Sequence, residues 1–445
     1  MGEKRTGEET GKMFHYQTPE ELKNAAEAVG APLPLTDDLS ILQKKLTFGK
    51  HEMHNRIVIQ PMEGCDGTAD GAPGELTIRR YDKFARSGAG LIWAEACAVL
   101  PEGRANPRQL WLTEDNLGEY KKLTARIREL AIKEHGYAPL LILQATHSGR
   151  YSKPHGKPEP LTAYPLLSWE TAGKSRILTD EEIERAEDAV ARTARLAQEA
   201  GFDGVDVKCC HRYLGSELLS AFTRKGRYGG DFDNRTRYVR QAALKARQNT
   251  GADFIVTSRL NIYDGFPYPY GFGVKEGNTL EFDSAEPIRL VKALEKEAGM
   301  ELIDITMGNP YVNPHVNRPA DKQPYEILED PLKDVKRMVD GIGEVKAACP
   351  EMAVIGSALS YARQFCGNLA AGAIEAGKYD AAGFGRMAFA YPEFAGELLA
   401  GRALDAKKCC IGCGKCSRLM RLGSTAGCVV RDPYYTDLYR RLTAK

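Results

Sequence analysis

Five of the eleven cysteines fall within twenty residues near the end of the sequence. They are Cys409, Cys410, Cys413, Cys416 and Cys428, and the last four have the spacing C-x2-C-x2-C-x11-C. A secreted disulfide scaffold is short and fully paired, whereas this chain is long and has an odd number of cysteines, so the cluster indicates a metal. Zinc usually binds two well-separated C-x2-C pairs. Three cysteines in seven residues therefore favour iron–sulfur over zinc.

A second set of chemically capable side chains follows short apolar runs elsewhere in the sequence. The set consists of Glu63, Gln144, His147, Lys208, His211, Tyr213, Arg259, Tyr311, His315 and Arg386. The last two apolar runs end in small residues, Gly356-Ser357 and Gly383-Phe384-Gly385, whose backbone N–H groups would suit a phosphate with Arg386 beside it. The pattern indicates a phosphorylated substrate or flavin mononucleotide (FMN). The alternative is that the glycines only permit tight turns.

The elements that must position these side chains alternate between short apolar runs and longer amphipathic ones. We predict strands at Arg56–Gln60, Leu91–Ala96, Leu140–Gln144, Gly204–Lys208, Phe254–Leu260, Leu302–Thr306, Ala353–Gly356 and Ala381–Gly385. We predict helices near Glu20–Val29, Leu76–Ser87, Asp115–Glu134, Asp180–Ala200, Arg235–Asn249, Ala285–Ala298, Leu332–Ala348 and Tyr361–Ala376. The clearest helix is the one from Asp180, because Thr179 and Glu182 form a capping box and Gly201 supplies a stop.

Eight strand–helix units in sequence predict an α/β fold, a (β/α)8 TIM barrel, because each parallel strand needs a crossover helix to return. A doubly wound sheet would place a G-x-G-x-x-G turn after the first strand, where this sequence has PMEGCDG. In a TIM barrel the C-terminal strand ends form the working face. We predict an N-terminal extension at 1–45, the barrel at 46–405, and a short C-terminal iron–sulfur segment at 406–445.

Composition excludes several classes of protein. The chain has 61 Lys+Arg and 60 Asp+Glu, and this net charge of +1 provides no electrostatic footprint for nucleic acid or an anionic membrane. No apolar run is long enough to span a bilayer, and the charged N-terminus lacks the apolar core of a signal peptide. We therefore expect a cytoplasmic protein, with a homo-oligomer as one possibility.

Several motifs resemble the old yellow enzyme family of FMN-dependent reductases. They are NRIVIQPM (Asn55–Met62), AEACAVLPEGR (Ala94–Arg104), LQATHSGR (Leu143–Arg150), HRYLGSELLSAFTRKGRYGGDFDNRTR (His211–Arg237) and GFGR (Gly383–Arg386). They occur in the family's order over roughly residues 40–405. The CCIGCGKC segment resembles the iron–sulfur branch of that family, which includes 2,4-dienoyl-CoA reductase, trimethylamine dehydrogenase and clostridial bile-acid oxidoreductases.

The resemblance implies an FMN site at the strand ends. The implied contacts are Pro61, Met62, Ala96, Gln144, Arg259, Gly356, Ser357, Gly385 and Arg386, with Glu63 where relatives often have a smaller residue. Gln144 would bond the pyrimidine edge of the flavin, and Arg259 would place positive charge near flavin N1. The alternative for Arg259 is an internal ion pair.

The resemblance also assigns the acid chemistry to the fourth strand. Two side chains there would hold a substrate carbonyl over the flavin, and a tyrosine would protonate the neighbouring carbon. Here the tyrosine is Tyr213, and the two polar positions are His211 and Lys208, the latter often a histidine in relatives. A lysine is a flexible point charge that could bind a carboxylate or an enone oxygen. Tyr311 and His315 are secondary candidates for substrate contact, and His147 is expected to be structural.

The implied function is an FMN-dependent ene-reductase that reduces a C=C bond conjugated to a carbonyl. The family's spacing implies that Cys410, Cys413, Cys416 and Cys428 hold a [4Fe–4S] cluster, with Cys409 free. Because the sequence ends soon after Cys428, where long relatives continue with FAD and nicotinamide domains, we expect an electron donor protein such as a ferredoxin, a flavodoxin or an NAD(P)H reductase.

Three other interpretations stay open at this point. The flavin could work in the oxidative direction in an amine dehydrogenase or demethylase, although Lys208 opposes a cationic substrate. The chain could be a non-catalytic electron-transfer subunit. It could also be a barrel with structural zinc and no flavin. The substrate of an ene-reductase also stays open among enones, enoates and enoyl thioesters, a steroid or bile-acid enone included.

Overall fold

The computed structural model describes residues 14–165, 175–321 and 329–444. The first thirteen residues of the predicted N-terminal extension and the final Lys445 of the predicted C-terminal segment lie outside them.

Eight parallel strands form a closed barrel within the described residues. They are β1 (Ile57–Ile59), β2 (Leu91–Ala98), β3 (Leu140–Thr146), β4 (Gly204–Val207), β5 (Ile255–Thr257 and Arg259–Asn261), β6 (Leu302–Thr306), β7 (Ala353–Gly356) and β8 (Ala381–Phe384). The first half of β5 pairs with β4 and the second half with β6, while β8 pairs with β1. The predicted TIM barrel is therefore confirmed, and each predicted strand is present.

The helices cover the outside of the barrel, as the crossover connections require. The α-helices are Pro19–Ala28, Glu75–Ala85, Leu117–His135, Asp180–Glu199, Leu214–Leu219, Phe232–Gln248, Ala285–Ala298, Pro314–Asn317, Pro331–Ala348, Cys366–Glu375, Arg386–Ala390, Phe394–Leu399, Lys415–Arg421 and Pro433–Thr443. Short 3-10 helices occupy Ser40–Gln43, Pro101–Gly103, Gly149–Tyr151 and Leu359–Phe365. The predicted capping box at Thr179 and Glu182 is present. In the part of the chain that the structure describes, no helix is long and apolar enough to cross a membrane.

Three small pairs of strands accompany the barrel. They are the hairpin Leu46–Phe48 with His51–Met53, the hairpin Val274–Lys275 with Asn278–Phe282, and the parallel pair Leu161–Thr162 with Arg176–Ile177. The first hairpin packs its buried Leu46, Phe48 and Met53 with apolar side chains of the barrel strands, among them Leu91 and Trp93. This packing contributes to the apolar core of the barrel.

The C-terminal segment docks on the loop that follows β1. Thr425 donates its hydroxyl to the Gly64 carbonyl at 2.8 Å, and the Ala426 amide donates to the same carbonyl at 2.8 Å. Asp432 caps the helix Pro433–Thr443 and forms ion pairs with Arg79 and Lys83. These contacts hold the cysteine-bearing segment against the face where the barrel strands end.

Candidate active site

A cavity of about 170 Å³ opens at the C-terminal ends of the strands. The predicted site residues that line it are Pro61, Met62, Glu63, Ala96, Gln144, Lys208, His211, Tyr213, Arg259, Tyr311, Ser357, Gly385 and Arg386. The C-terminal segment contributes Cys416, Ser417, Met420, Arg421 and Ala426 to the wall. The fold thus brings together side chains from all but two of the predicted FMN and substrate positions.

Two buried carboxylates orient the amides of the cavity floor. The Gln144 side-chain amide donates to Asp206 Oδ2 at 2.6 Å, and that carboxylate also accepts from the Trp93 indole at 2.8 Å. The Gln60 side-chain amide donates to Asp304 Oδ1 at 2.8 Å. Gln60 also donates to Ser357 Oγ at 2.6 Å, so both of its N–H groups have acceptors and its carbonyl oxygen suits a ligand N–H. Gln144 uses one N–H on Asp206, so its second N–H and its carbonyl oxygen can both serve a ligand. Burial raises the pKa of Asp206 to about 6.

Arg259 forms an ion pair and also lines the cavity. Its Nε lies 3.0 Å from Asp304 Oδ2, and both side chains are nearly inaccessible to solvent. Burial raises the pKa of Asp304 to about 6, while the guanidinium of Arg259 opposes that rise. The two interpretations of Arg259 are compatible, because one edge of the guanidinium can pair with Asp304 while the cavity side offers positive charge.

The turn after β4 has an unusual backbone conformation, which sets the direction of its side chains. His211 and Arg212 have φ angles of 63° and 57°, a left-handed conformation that costs energy for residues other than glycine. Lys208 is only 6% exposed, and its Nζ lies 3.8 Å from the centroid of the Tyr213 ring. Burial lowers the pKa of Lys208 and, aided by Arg259 and Lys208, lowers the pKa of His211 well below its ordinary value. This shift of the pKa favours the neutral form of the His211 imidazole.

The Tyr213 hydroxyl lies between two partners. It is 3.2 Å from the hydroxyl of Tyr311 and 3.5 Å from Glu63 Oε2, to which it donates. The Asn106 side chain donates to Glu63 Oε1 at 3.2 Å and so fixes the other carboxylate oxygen. Burial, followed by the charge of Glu63, raises the pKa of Tyr213 well above its ordinary value. Tyr213 therefore holds its proton until a strong base or a developing carbanion takes it. Burial also raises the pKa of Glu63.

The ends of β7 and β8 supply the small residues that the sequence pointed to. Ser357 donates its hydroxyl to the Ile305 carbonyl at 2.7 Å and lines the cavity. A Cβ atom at Gly385 would lie 2.8 Å from Met62 Sδ, so a larger residue here would require the Met62 side chain to move. Gly356 lies outside the cavity lining, because the Tyr379 ring occupies the space where its side chain would be.

His315 also lies away from the cavity. It is buried on the short helix Pro314–Asn317, with its ring within 4.8 Å of carboxylate oxygens of Glu329 and Asp334. Arg337 forms ion pairs with both of these carboxylates. A contact between His315 and a substrate is therefore not supported by its position. The buried His147, whose Nδ1 accepts from the Gly149 amide at 3.1 Å, has a local structural contact, as expected.

The four predicted metal ligands surround a second, smaller cavity. Cys410, Cys413, Cys416 and Cys428 line it together with Arg386, and Cys416 and Arg386 also line the larger cavity. Among the described residues, the sulfur atoms of no three cysteines lie within 4.8 Å of one another. Cys409 is a buried free thiol 3.4 Å from the Asp405 carbonyl.

The sequence reasoning missed several cavity residues. Gln60 directly follows β1, and its position at the end of the predicted strand Arg56–Gln60 was a usable signal. Arg318, Met420 and Arg421 reach the cavity from a loop and from the docked C-terminal segment. Nothing in the periodicity of the sequence indicates where that segment docks.

Residues 42–340 match the model of the NADH:flavin oxidoreductase / NADH oxidase family. The NADH oxidase of Thermoanaerobacter brockii is 28% identical over 405 residues, which cover 88% of this chain and 56% of that protein. An NADPH dehydrogenase of Geobacillus sp. (strain WCH70) is 32% identical over 260 residues, covering 57% of this chain and 69% of the relative.

Solved structures show the same fold. A 2-naphthoyl-CoA reductase superposes with a TM-score of 0.71 at 22% identity and covers 90% of this chain and 58% of its own. The old yellow enzyme homologue from Zymomonas mobilis superposes with a TM-score of 0.61 at 22% identity, covering 82% of this chain and 94% of that one. The chain thus spans little more than half the length of some of its similar proteins and nearly all of others.

Proposed function

Because the chain belongs to the NADH:flavin oxidoreductase / NADH oxidase family and is a flavin-dependent oxidoreductase, we propose that it reduces a carbon–carbon double bond conjugated to a carbonyl. The observation that carries this proposal is the Tyr213 hydroxyl. It is a buried proton donor beside the cationic Lys208 and the neutral His211, in a cavity at the C-terminal ends of the barrel strands.

The residues present fit FMN, the cofactor that the family supports. The free carbonyl oxygens of Gln144 and Gln60 suit a ring N–H, and Arg259 offers positive charge to an electron-rich ring. The small residues at Ser357 and Gly385, with Arg386 beside them, suit a phosphate. Pro61, Met62, Glu63 and Ala96 complete the proposed contacts. When bound and reduced, FMN supplies the hydride.

The protein's own residues would then bind the substrate and donate the proton. Lys208 and His211 hold the carbonyl oxygen, which polarises the alkene toward hydride acceptance at its far carbon. Tyr213 gives its hydroxyl proton to the carbon next to the carbonyl. The raised pKa of Tyr213 suits this role, because the hydroxyl stays protonated until negative charge develops on the substrate. The positive charge of Lys208 disfavours a cationic amine substrate.

We also propose that the four cysteines hold a [4Fe–4S] cluster. Their convergence on one small cavity and their C-x2-C-x2-C-x11-C spacing both support a polynuclear group over a single zinc. The shared wall formed by Cys416 supports electron transfer between this cluster and the flavin. Electrons would reach the cluster from a donor such as a ferredoxin, a flavodoxin or an NAD(P)H reductase.

Replacement of Tyr213 by phenylalanine tests the proposed reaction. The anaerobic, FMN-loaded protein is reduced with dithionite and mixed with 2-cyclohexen-1-one, cinnamate or crotonyl-CoA, which represent enones, enoates and enoyl thioesters. We expect Tyr213→Phe to slow reoxidation of the flavin by the alkene about 100-fold or more, because a positioned general acid contributes that much. Reduction by dithionite should stay within about two-fold of wild type.

The matched control is Tyr268→Phe, which removes the hydroxyl of an exposed tyrosine that lies outside the cavity lining. Equal slowing of both half-reactions in Tyr213→Phe would contradict the assigned role. A wild-type protein that reduces none of the three alkenes would contradict the proposed function itself.

A further inference from the structure

We propose that Tyr311 relays a proton from solvent to Tyr213 after each turnover. This inference rests on the proposed function, in which Tyr213 loses its proton to the substrate. It gives Tyr311 a role through Tyr213, in place of the direct substrate contact suggested by its sequence position.

Tyr213 needs such a partner because its own side chain is shut off from water. It is 3% exposed, whereas Tyr311 is 39% exposed. The two hydroxyl oxygens are 3.2 Å apart, which is within hydrogen-bond distance. Lys208 Nζ lies over the face of the Tyr213 ring, away from its hydroxyl. The described contacts of the hydroxyl are Tyr311 and Glu63, and of these two side chains Tyr311 is the more exposed to solvent.

The position of Tyr311 is fixed by its surroundings. Its ring stacks on the ring of Tyr151 with centroids 3.9 Å apart and planes inclined by 24°. Its backbone amide donates to Asn309 Oδ1 at 2.8 Å, and the Asn309 amide donates to Asn313 Oδ1 at 2.7 Å. Ordering an exposed side chain in this way costs conformational entropy. The stack and the turn hold its hydroxyl beside that of Tyr213.

Glu63 is the alternative proton source for Tyr213, but it lies farther from the Tyr213 hydroxyl than Tyr311 does. Its Oε2 lies 3.5 Å from the Tyr213 oxygen, farther than the hydroxyl of Tyr311. Its other oxygen accepts from Asn106, and Cys65 Sγ lies 3.8 Å away. Glu63 has the further effect of keeping Tyr213 protonated, since its charge raises the pKa of that hydroxyl.

The proton balance of the relay is simple. The reduced flavin supplies the hydride, and the O–H bond of Tyr213 breaks as its proton forms a C–H bond with the substrate. The Tyr213 oxygen then takes the proton of the Tyr311 hydroxyl, and Tyr311 takes a proton from water, which leaves both hydroxyls restored. Burial raises the pKa of Tyr213 well above its ordinary value, so its deprotonated oxygen is a strong base toward the neighbouring hydroxyl of Tyr311.

The test is Tyr311→Phe in the cofactor-loaded protein, which keeps the stacked ring and removes only the hydroxyl. The most reactive of the three alkene probes is used with excess dithionite. We expect the first turnover of reduced enzyme to stay within about two-fold of wild type, since Tyr213 already holds one proton. Steady-state turnover should fall about 10-fold, with a larger solvent deuterium isotope effect, because restoring the proton becomes slow.

Two further variants make the outcome specific. In Tyr311→Ala, added imidazole should restore turnover in proportion to its concentration, as a diffusible acid replaces the hydroxyl. Tyr268→Phe, at an exposed tyrosine outside the cavity lining, should leave the ratio of steady-state to first-turnover rates unchanged. Urea unfolding of Tyr311→Phe should match that of wild type, which excludes a folding defect.

An equal loss in the first turnover and in steady state would assign Tyr311 to substrate contact and overturn the relay, as would no loss in either rate. If Tyr311→Phe shows no steady-state defect while Tyr213→Phe abolishes alkene reduction, the relay fails and the proposed function stands. If wild type reduces none of the three probes, both fail.

Discussion

The two cavities that share Cys416 are built in opposite ways. The larger one lies at the ends of barrel strands, and buried carboxylates such as Asp206 and Asp304 fix its amides and its arginine. The smaller one is lined mainly by the loop from Cys409 to Gly414, in which Gly412 and Gly414 have φ angles of 68° and 66° and Cys413 is exposed, together with Arg386 and Cys416 from two short helices. We expect the barrel side to be organised before its flavin binds, and the cysteine side to depend on the proposed cluster for its organisation. We therefore expect that a variant can lose its iron without losing its flavin, and the reverse.

Removal of one cysteine ligand is the strongest way to test that independence. Cys413→Ser should reduce bound iron from about four atoms per chain to less than one, because the cluster loses a corner. Flavin content should stay within about 20% of wild type, since no barrel residue changes. Iron and flavin analysis of anaerobically purified protein measures both. The control is Cys409→Ala, which removes the neighbouring thiol outside the proposed ligand set. Parallel loss of iron and flavin would break the comparison.

Removal of a buried carboxylate beside the larger cavity should lower the free energy of unfolding substantially. Asp304→Ala leaves Arg259 buried without its ion-pair partner, which should lower the free energy of unfolding by about 3–5 kcal/mol. The matched control is Asp253→Ala, which removes an exposed pair with Lys50 and should cost about 0–1 kcal/mol. Urea denaturation of both variants measures the difference. Equal costs would show that the barrel end is not organised by its buried charges.

Loosening the contact between the two regions should have a smaller, local effect. Asp432→Ala removes the cap of the helix Pro433–Thr443 and its pairs with Arg79 and Lys83. We expect a local loss of about 1–2 kcal/mol from the cap and the partly exposed pairs. Amide hydrogen exchange should speed up in that helix and stay unchanged in Asp180–Glu199. Faster exchange throughout the barrel would show that the regions are energetically one unit.

The smallest effect is a dependence on pH that belongs to the barrel. Burial lowers the pKa of His147 to about 4, below its ordinary value near 6.5. Between these values the unfolded chain binds a proton that the folded protein does not, so stability falls as pH drops from 6.5 toward 4. The loss at pH 5.5 should be about 1 kcal/mol. Urea unfolding of wild type and His147→Gln at pH 5.5 and 7.5 measures it. If wild type and His147→Gln lose the same free energy of unfolding between pH 7.5 and 5.5, His147 is not the cause of the loss.

Most of the barrel could be predicted because its signals are local. The eight apolar runs and the capping box at Thr179 and Glu182 each lie within a few residues, and the structure contains them. The break in β5 at Ser258 was missed, since FIVTSRL contains no glycine or proline that would mark an interruption. The non-helical Arg363, at φ 48° within the 3-10 helix Leu359–Phe365, also carried no signal that we could use.

The site was predictable where it follows strand ends and unpredictable where it depends on tertiary docking. Residues such as Gln144, Lys208 and Arg386 could be placed from the barrel rule alone. His315 was misplaced because a loop of several residues separates it from β6, and the direction of that loop is set by packing. The predicted domain boundaries at 45 and 405, the [4Fe–4S] cluster and the electron donor stay predictions.

The central claim is that one chain holds a flavin in its barrel and an iron–sulfur cluster in the segment that borders it. Quantitative analysis of flavin, iron and zinc in anaerobically purified protein tests it most directly. The account predicts one FMN and about four iron atoms per chain, with negligible zinc. One zinc atom per chain, or a colourless protein without flavin, would contradict it.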